Sequence, residues 1–303
     1  MPGPVFAPID PRLAPVVESI CASDGESGAA NSIALPVVSP ILCFHWLQAP
    51  LLRLDAGASG AGPTWADPGR LRITGAQLRA ARLRAHAQVG VVMVRLRPEA
   101  AHRIRGLAMH ELFGGAAALA DLFPPREVAL LDERLLEARD TGLRFAAVQQ
   151  FLLSRLSERA DQRLAGLAAQ ALRQRPQMPI GDLARRLEVS ERHLTRVFRG
   201  AMGATPKQFA RIARLSSVVA AARGAMANWA QIAADCGYAD QSHMVHEFQA
   251  MVGVAPAALL GTPPLRVQRG QPASPAESDF YNTFLPVPST LARQGQAHPT
   301  ALR

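Results

Sequence analysis

The sequence predicts an α+β protein, with a small β-domain and helices in its N-terminal part and an all-α C-terminal domain holding two helix-turn-helix units. Three observations carry this. Apolar, partly β-branched stretches, cut at first by Pro36, Pro40 and Pro50, fill roughly residues 30–98. From Glu99 the apolar period changes to about 3.6 residues. Finally, one short helical pattern is written twice, fifty residues apart.

Taken in order, "DPRLAPVVESI" (10–20) predicts a short helix, with Leu13, Val16, Val17 and Ile20 at helical spacing behind Asp10 and Pro11 as cap and first-turn residue. Strands joined by turns follow. In "VGVVMVRLRP" Val92, Val94 and Leu96 alternate with Met93, Arg95 and Arg97, the pattern of a strand with one buried face. The β-domain is expected over about 30–98, with Gly57, Gly60, Gly62 and Gly69 marking an exposed loop inside it. A helical segment is expected over about 99–174, apolar on one side and carrying arginine or acid on the other. "RQRPQMP" breaks that pattern and places a boundary at Gln174 to Pro179. The resulting division is an N-terminal part at 1–175, a helical unit at 176–262 and a flexible, Pro-rich tail at 263–303.

With 303 residues, 49% of them hydrophobic, the chain is long enough for two ordinary domains with real cores, which excludes disorder of the whole. Lys and Arg number 33 against 24 Asp and Glu, and Lys207 is the only lysine. The net charge of +9 suits an anionic partner, and its distribution says more than its size. Cys21, Cys43 and Cys236 are too far apart for a CxxC site or a disulfide framework. The start "MPGPVFAPIDPRLAP" lacks a basic segment followed by an apolar core, and no apolar run reaches the ~18 residues of a spanning helix. No membrane association and a cytoplasmic location are expected.

Catalytic patterns are missing from the sequence. His45, His86, His102 and His110 are dispersed, no HxH occurs, and "HELFGG" is not HExxH. Neither GxSxG, Walker nor GxGxxG patterns are found. The expectation is therefore a protein that is no enzyme and needs no cofactor or metal.

The repeated pattern is more informative. "IGDLARRLEV" reads as a short helix with Ile180, Leu183, Ala184 and Leu187 inward, and Ser190 caps a second helix, "ERHLTRVFRGAM". There Leu194, Val197, Phe198 and Ala201 form the buried stripe, opposite Glu191, Arg192, Thr195, Arg196 and Arg199. Two short helices at a steep angle, the second exposing an arginine-bearing face, make a helix-turn-helix. Gly203 ends that helix, and Thr205 with Pro206 starts a helix of about 18 residues, some 27 Å long. The second copy, "WAQIAADCGYADQSHMVHEFQAMVG", repeats His193, Phe198, Gly203 and Pro206 as His243, Phe248, Gly253 and Pro256, with Gly237 at the turn and Asp240 as cap. Its turn is one residue longer. Two such units could meet successive major grooves about one DNA turn, ~34 Å, apart.

With "DLARRLEVSERHLTRVFRGAMGATPKQF" and "WAQIAADCGYADQSHMVHEFQAMVGVAPAAL" in this order and spacing, the segment from about Met178 to Leu260 resembles the DNA-binding domain of the AraC/XylS family of transcription regulators. The part before it, with "RITGAQ" and "VVMVRLRPEAAHRIRG", is more weakly similar to sensor portions of such regulators, which have a cupin-like β-domain followed by helices. The resemblance implies a sequence-specific, DNA-binding activator or repressor modulated through its N-terminal domain. It implies double-stranded DNA as partner, and it brings into view a small-molecule effector in the N-terminal domain, an RNA polymerase contact and a homodimer. Carried over residue by residue, the base-contacting positions are Arg192, Thr195 and Arg196 in the first unit and Gln241, Ser242, His243 and His246 in the second. Arg192 and Arg196 are suited to guanine, and Arg199 and Lys207 to phosphate. His193 and His243 also have a structural alternative, bonding the turn.

The two copies differ in charge. From Pro176 to Gly224 nine Lys and Arg stand against three acids, a balance of +6, whereas from Ala225 to Thr262 three acids stand against no Lys or Arg. Phosphate attraction supplies most non-specific affinity, so the first unit is expected to dominate binding. The alternative is a degenerate second unit that packs or docks a protein partner.

Overall fold

The computed structural model describes residues 4–26, 31–54, 67, 69–84, 88–157, 163–222, 228–260 and 284–286. Its strands are β1 (Val5–Phe6), β2 (Val17–Glu26), β3 (Asn31–Ala34), β4 (Ile41–His45), β5 (Leu51–Leu54), β6 (Leu71–Thr74), β7 (Ala81–Arg84), β8 (Gln88–Leu96), β9 (Ala116–Ala118) and β10 (Phe284–Pro286). They form two antiparallel sheets, ordered β1-β2-β8-β4-β6-β9 and β10-β3-β7-β5. The architecture is α+β, as the sequence predicts.

In the larger sheet the alternation read in β8 holds. Leu42 faces Val94 and Phe44 faces Val92 across β4 and β8, and these side chains join Ile73 and Leu96 in one buried cluster. That face is covered by α2 (Leu119–Leu122), α3 (Pro125–Glu137) and α4 (Thr141–Leu153), which come after α1 (Met109–Leu112). Phe151 of α4 sits edge-on to both Phe44 and Phe123. Arg155 stacks over the Phe151 ring at 3.6 Å and pairs with Glu127. Ile41, Cys43 and Val91 point the other way.

Several expectations are corrected. Residues 10–20 do not form a helix. Asp10 does cap a turn, accepting from Arg12 N and, through its carbonyl, from Leu13 N. Pro15 then has no N–H to continue, and from Val17 the chain enters β2 against β8. Leu13, Val16, Val17 and Ile20 are buried all the same, so the apolar pattern served a turn and a strand instead of a helix face. The strands also begin at Val5 instead of near residue 30. Within the expected helical segment, β9 adds to β6 with Ala117 opposite Ile73. Gly114, at φ 73°, turns the chain ahead of it.

Packing crosses the expected boundary. Helix α5 (Arg163–Gln174) buries Ala165, Ala168, Ala169 and Leu172 with Leu183, Leu194, Phe198 and Phe209 of the unit that follows, not with the larger sheet. In the tail, β10 pairs with β3, and Leu285 is buried with side chains of the second repeat. Of the expected glycine loop, Gly57, Gly60 and Gly62 lie outside the described residues, as do 263–283 and 287–303 of the tail. Among the described residues no helix is long and apolar enough to cross a membrane.

Three thiols are free and buried, and burial pushes each upward, Cys21 to about 12. His45 at the end of β4 is 3% exposed with both ring nitrogens unpartnered. Burial, reinforced by Arg72 and Arg70, pushes it down to about 3. Unfolded, the ring takes its proton near 6.5. The folded state is therefore favoured fully above pH 6.5 and loses about 1.4 kcal/mol per pH unit as pH falls toward 3. Urea denaturation of wild type should show about 2 kcal/mol lost to this group between pH 6.5 and 5, with a shallower acid limb in His45→Leu. Parallel acid limbs would count against a neutral buried ring.

Candidate nucleic-acid interface

The first helix-turn-helix consists of α6 (Ile180–Arg186) and α7 (Glu191–Met202). Leu183 and Ala184 are buried, and Val189 N donates to the Ala184 carbonyl at 3.0 Å, closing the turn. Glu188 takes φ 56° there, the left-handed region. Nothing in its side chain announces this. The equivalent of Glu188 in the second copy is Gly237 at φ 75°, where an added Cβ would lie 2.6 Å from Gln177 Cβ.

Helix α7 starts at Ser190, whose hydroxyl accepts from His193 N at 3.2 Å. It ends at Gly203, at φ 74°, whose N–H donates to the Arg199 carbonyl. Leu194, Phe198, Ala201 and Met202 are buried, and Val197 is half-buried at the edge of the stripe. Phe198 meets Phe209 edge-on at 5.3 Å. Outward point Glu191, Arg192, Arg196 and Arg199, all exposed, with Thr195 half-buried among them. Arg196 Nη2 lies 3.2 Å from His193 Nδ1, a contact that steadies the guanidinium on the surface.

Helix α8 (Pro206–Ala221) follows at once, with Thr205 and Gln208 exchanging a reciprocal capping pair. It spans 16 residues, about 24 Å, slightly less than expected. Lys207 is exposed in its first turn. The second unit is α9 (Trp229–Asp235) and α10 (Gln241–Val252), followed by α11 (Pro256–Leu260). Asp240 Oδ1 accepts from His243 N at 2.7 Å, and Gly253, at φ 82°, ends α10 as Gly203 ends α7. Both repeated histidines thus donate their backbone N–H to a cap. Their rings differ, His243 lying edge-on to Tyr238.

The structure gathers Arg192, Thr195, Arg196 and Arg199 with Glu191 and Gly200 along one wall of an open cleft of about 740 Å³. His110 of α1 forms its other side. Lys207 lies outside the cleft, and so do Gln241, Ser242, His243 and His246; of these, the last four are exposed on the first turns of α10.

Sequence reasoning missed Glu247. At the position matching half-buried Val197, it carries a side chain 7% exposed. It accepts from Arg211 Nε at 2.6 Å and from Arg214 Nη2 at 3.0 Å, while Arg214 also lies over the Tyr238 ring at 5.0 Å. Two of the nine cations counted for the first unit are therefore answered by the second. The only signals were two arginines three residues apart on α8 and a carboxylate in an apolar stripe.

The second unit is also held from outside. Met244, Phe248, Met251 and Val252 are buried with Ile33, Leu35, Ala80 and Leu285, and Ala80 N donates to the Met251 carbonyl at 2.8 Å.

Residues 183–261 match the family described as helix-turn-helix domain. Solved structures similar to the chain include ToxT from Vibrio cholerae, 12% identical, with 80% of this chain and 98% of that one covered and a TM-score of 0.44. ToxT from Vibrio cholerae O395 bound to (E)-4-(8-methylnaphthalen-1-yl)but-3-enoic acid gives 12%, 80%, 99% and 0.47 in the same order. The DNA-binding domain of AdpA, a global transcriptional factor, in complex with a target DNA gives 26%, 37%, 100% and 0.33. No curated protein sequence matches the chain.

Removing the Glu247 carboxylate leaves two guanidinium groups facing each other in a poorly hydrated place. Glu247→Ala is expected to cost about 2–3 kcal/mol in chemical denaturation, less than the ~3–5 kcal/mol of a broken, fully buried pair because Arg211 is partly exposed. Arg211→Ala, which leaves Arg214 in place, should cost less.

Proposed function

We propose, from the premise that residues 183–261 are a helix-turn-helix domain of the AraC type, that this DNA-binding transcription regulator reads the major groove mainly through α7. The observation that carries the reading is the face of α7. A helix fixed by caps at both ends and by a buried stripe presents Arg192, Thr195, Arg196 and Arg199 together. A guanidinium fork matches O6 and N7 of guanine, the role given to Arg192 and Arg196, with Thr195 between them. Arg199 and exposed Lys207 address phosphates, which position the protein without carrying sequence information.

The second unit has a different balance. Gln241, Ser242, His243 and His246 are exposed and able to hydrogen-bond base edges, with Gln241 suited to adenine. Yet α10 has no cation of its own beyond its histidines, and its inner face is committed to Glu247's arginines and to the smaller sheet. That packing favours the second reading, in which this unit is chiefly a packing or partner-binding module.

Modulation through the N-terminal domain is supported by a cavity of about 270 Å³ between Val37, Val38 and Arg95 on one side and Ser216, Ser217 and Ala220 of α8 on the other. A small molecule there would touch both the β-domain and the helix joining the two units.

Duplexes selected from a random pool by the full-length protein provide the test. Arg196→Ala is expected to bind the selected sequence ~10- to 100-fold more weakly, the cost of a lost bidentate base contact. Unchanged binding would remove α7 from base reading. Footprints across two successive major grooves, sensitive to Gln241→Ala, would show both units reading. One protected groove, with indifference to that change, would leave the second unit as a packing module.

A further inference from the structure

We propose that the DNA interface extends beyond the helix-turn-helix domain to His110, with one sugar-phosphate strand running in the cleft between α1 and α7. This rests on the reading of α7 as the groove-entering helix. A helix in the major groove, ~12 Å wide, has a phosphate strand on either side. On one side of α7 the open space is the cleft of about 740 Å³ whose lining holds three arginines and a single carboxylate, Glu191. That charge suits a polyanion. Every lining residue belongs to α7 except His110.

The wall that bears His110 is fixed. Met109 and Leu112 of α1 are buried, and Gly203 at the end of α7 packs so closely that a Cβ there would overlap the Met109 carbonyl oxygen. On the other side a Cβ at Gly75 would overlap the Leu112 carbonyl. His110 itself projects with its side chain 58% exposed. Its contact with Glu111, Nε2 to Oε1 at 3.7 Å, is longer than a hydrogen bond, and Glu111 does not line the cleft. The imidazole is thus placed to donate to a phosphate oxygen, a contact that fixes register on the duplex and reads no base.

The test uses full-length protein and a fluorescein-labelled duplex of about 30 base pairs of arbitrary sequence, titrated at several salt concentrations, since phosphate contacts are independent of sequence. Wild type is compared with His110→Arg, His110→Ala and His110→Glu, exposed substitutions that leave the core untouched. The expected order of affinity is Arg, then His, then Ala, then Glu. Arg should bind about 3- to 10-fold tighter than Ala near 0.1 M salt and show a salt slope steeper by about one. Equal binding by all four, or tighter binding by His110→Ala than by wild type, would overturn the proposal; the latter would mean that α1 obstructs the groove. A variant combining Arg192→Ala, Arg196→Ala and Arg199→Ala separates the two levels. If it binds like wild type, or wild type does not bind, the reading of α7 itself fails. If it loses affinity while the His110 series is flat, only the role of His110 fails.

Discussion

A carboxylate taken out of water needs its charge answered, and Glu247 has it answered by Arg211 and Arg214, which lie one turn apart on the preceding long helix. Because both cations sit on α8, the side of α10 is bound to a fixed stretch of that helix. The cost of burying the carboxylate is offset only if both guanidinium partners keep their places. Tyr238 extends the arrangement, its ring under Arg214 and its phenol pushed upward by burial and by the Glu247 carboxylate, so it remains neutral. The asymmetry of charge between the repeats thus has a mechanical component. The acidic copy lacks arginines of its own, yet it takes two from its neighbour.

The two repeats are also attached to different layers of the N-terminal domain. The first meets α1 through Gly203 and its helical partner α5. The second meets the smaller sheet through Ile33, Leu35, Ala80 and Leu285. Between these attachments α8 borders the cavity lined by Glu18, Ser39, Arg95 and Arg173, where Ser39 donates to Glu18 and Arg173 pairs with both Glu18 and Glu99. Polar groups bordering such a space are easier to rearrange than a close-packed apolar seam. A change of occupancy there would bear on α8 and hence on both repeats together.

What the sequence made legible was local. Ser190, Thr205 and Asp240 sit where a short polar side chain can reach the N–H three residues on, and each does so. The cleft-facing arginines of α7 were legible for the same reason, since a stripe and its opposite face follow from period alone. What escaped depended on distant neighbours. The alanines of β9 suit helix or strand, and β6 decides between them. The apolar residues of α5 show that it has a buried face but not which core receives it. Glu188 accepts a left-handed backbone because the surrounding helices impose it. Glu247 reads as a fault in an apolar stripe until Arg211 and Arg214 are seen beside it. His110 lies far in sequence from α7, in a segment of four helical residues with no pattern to mark it.

The strand β10 has a consequence for how the molecule comes into being. Phe284 to Pro286 close one edge of the smaller sheet by pairing with β3, near the opposite end of the chain, and Leu285 completes the core under α10. During synthesis, β3 emerges early and keeps that edge unpaired while both repeats are made. Contacts of such separation form late and slowly, because a long loop must close first. An unpaired strand edge is also the feature most prone to capture by another chain. Strand β10 thus closes that sheet only after both repeats are made, and a nascent chain halted at α11 would carry a nearly finished helix-turn-helix domain beside an open sheet.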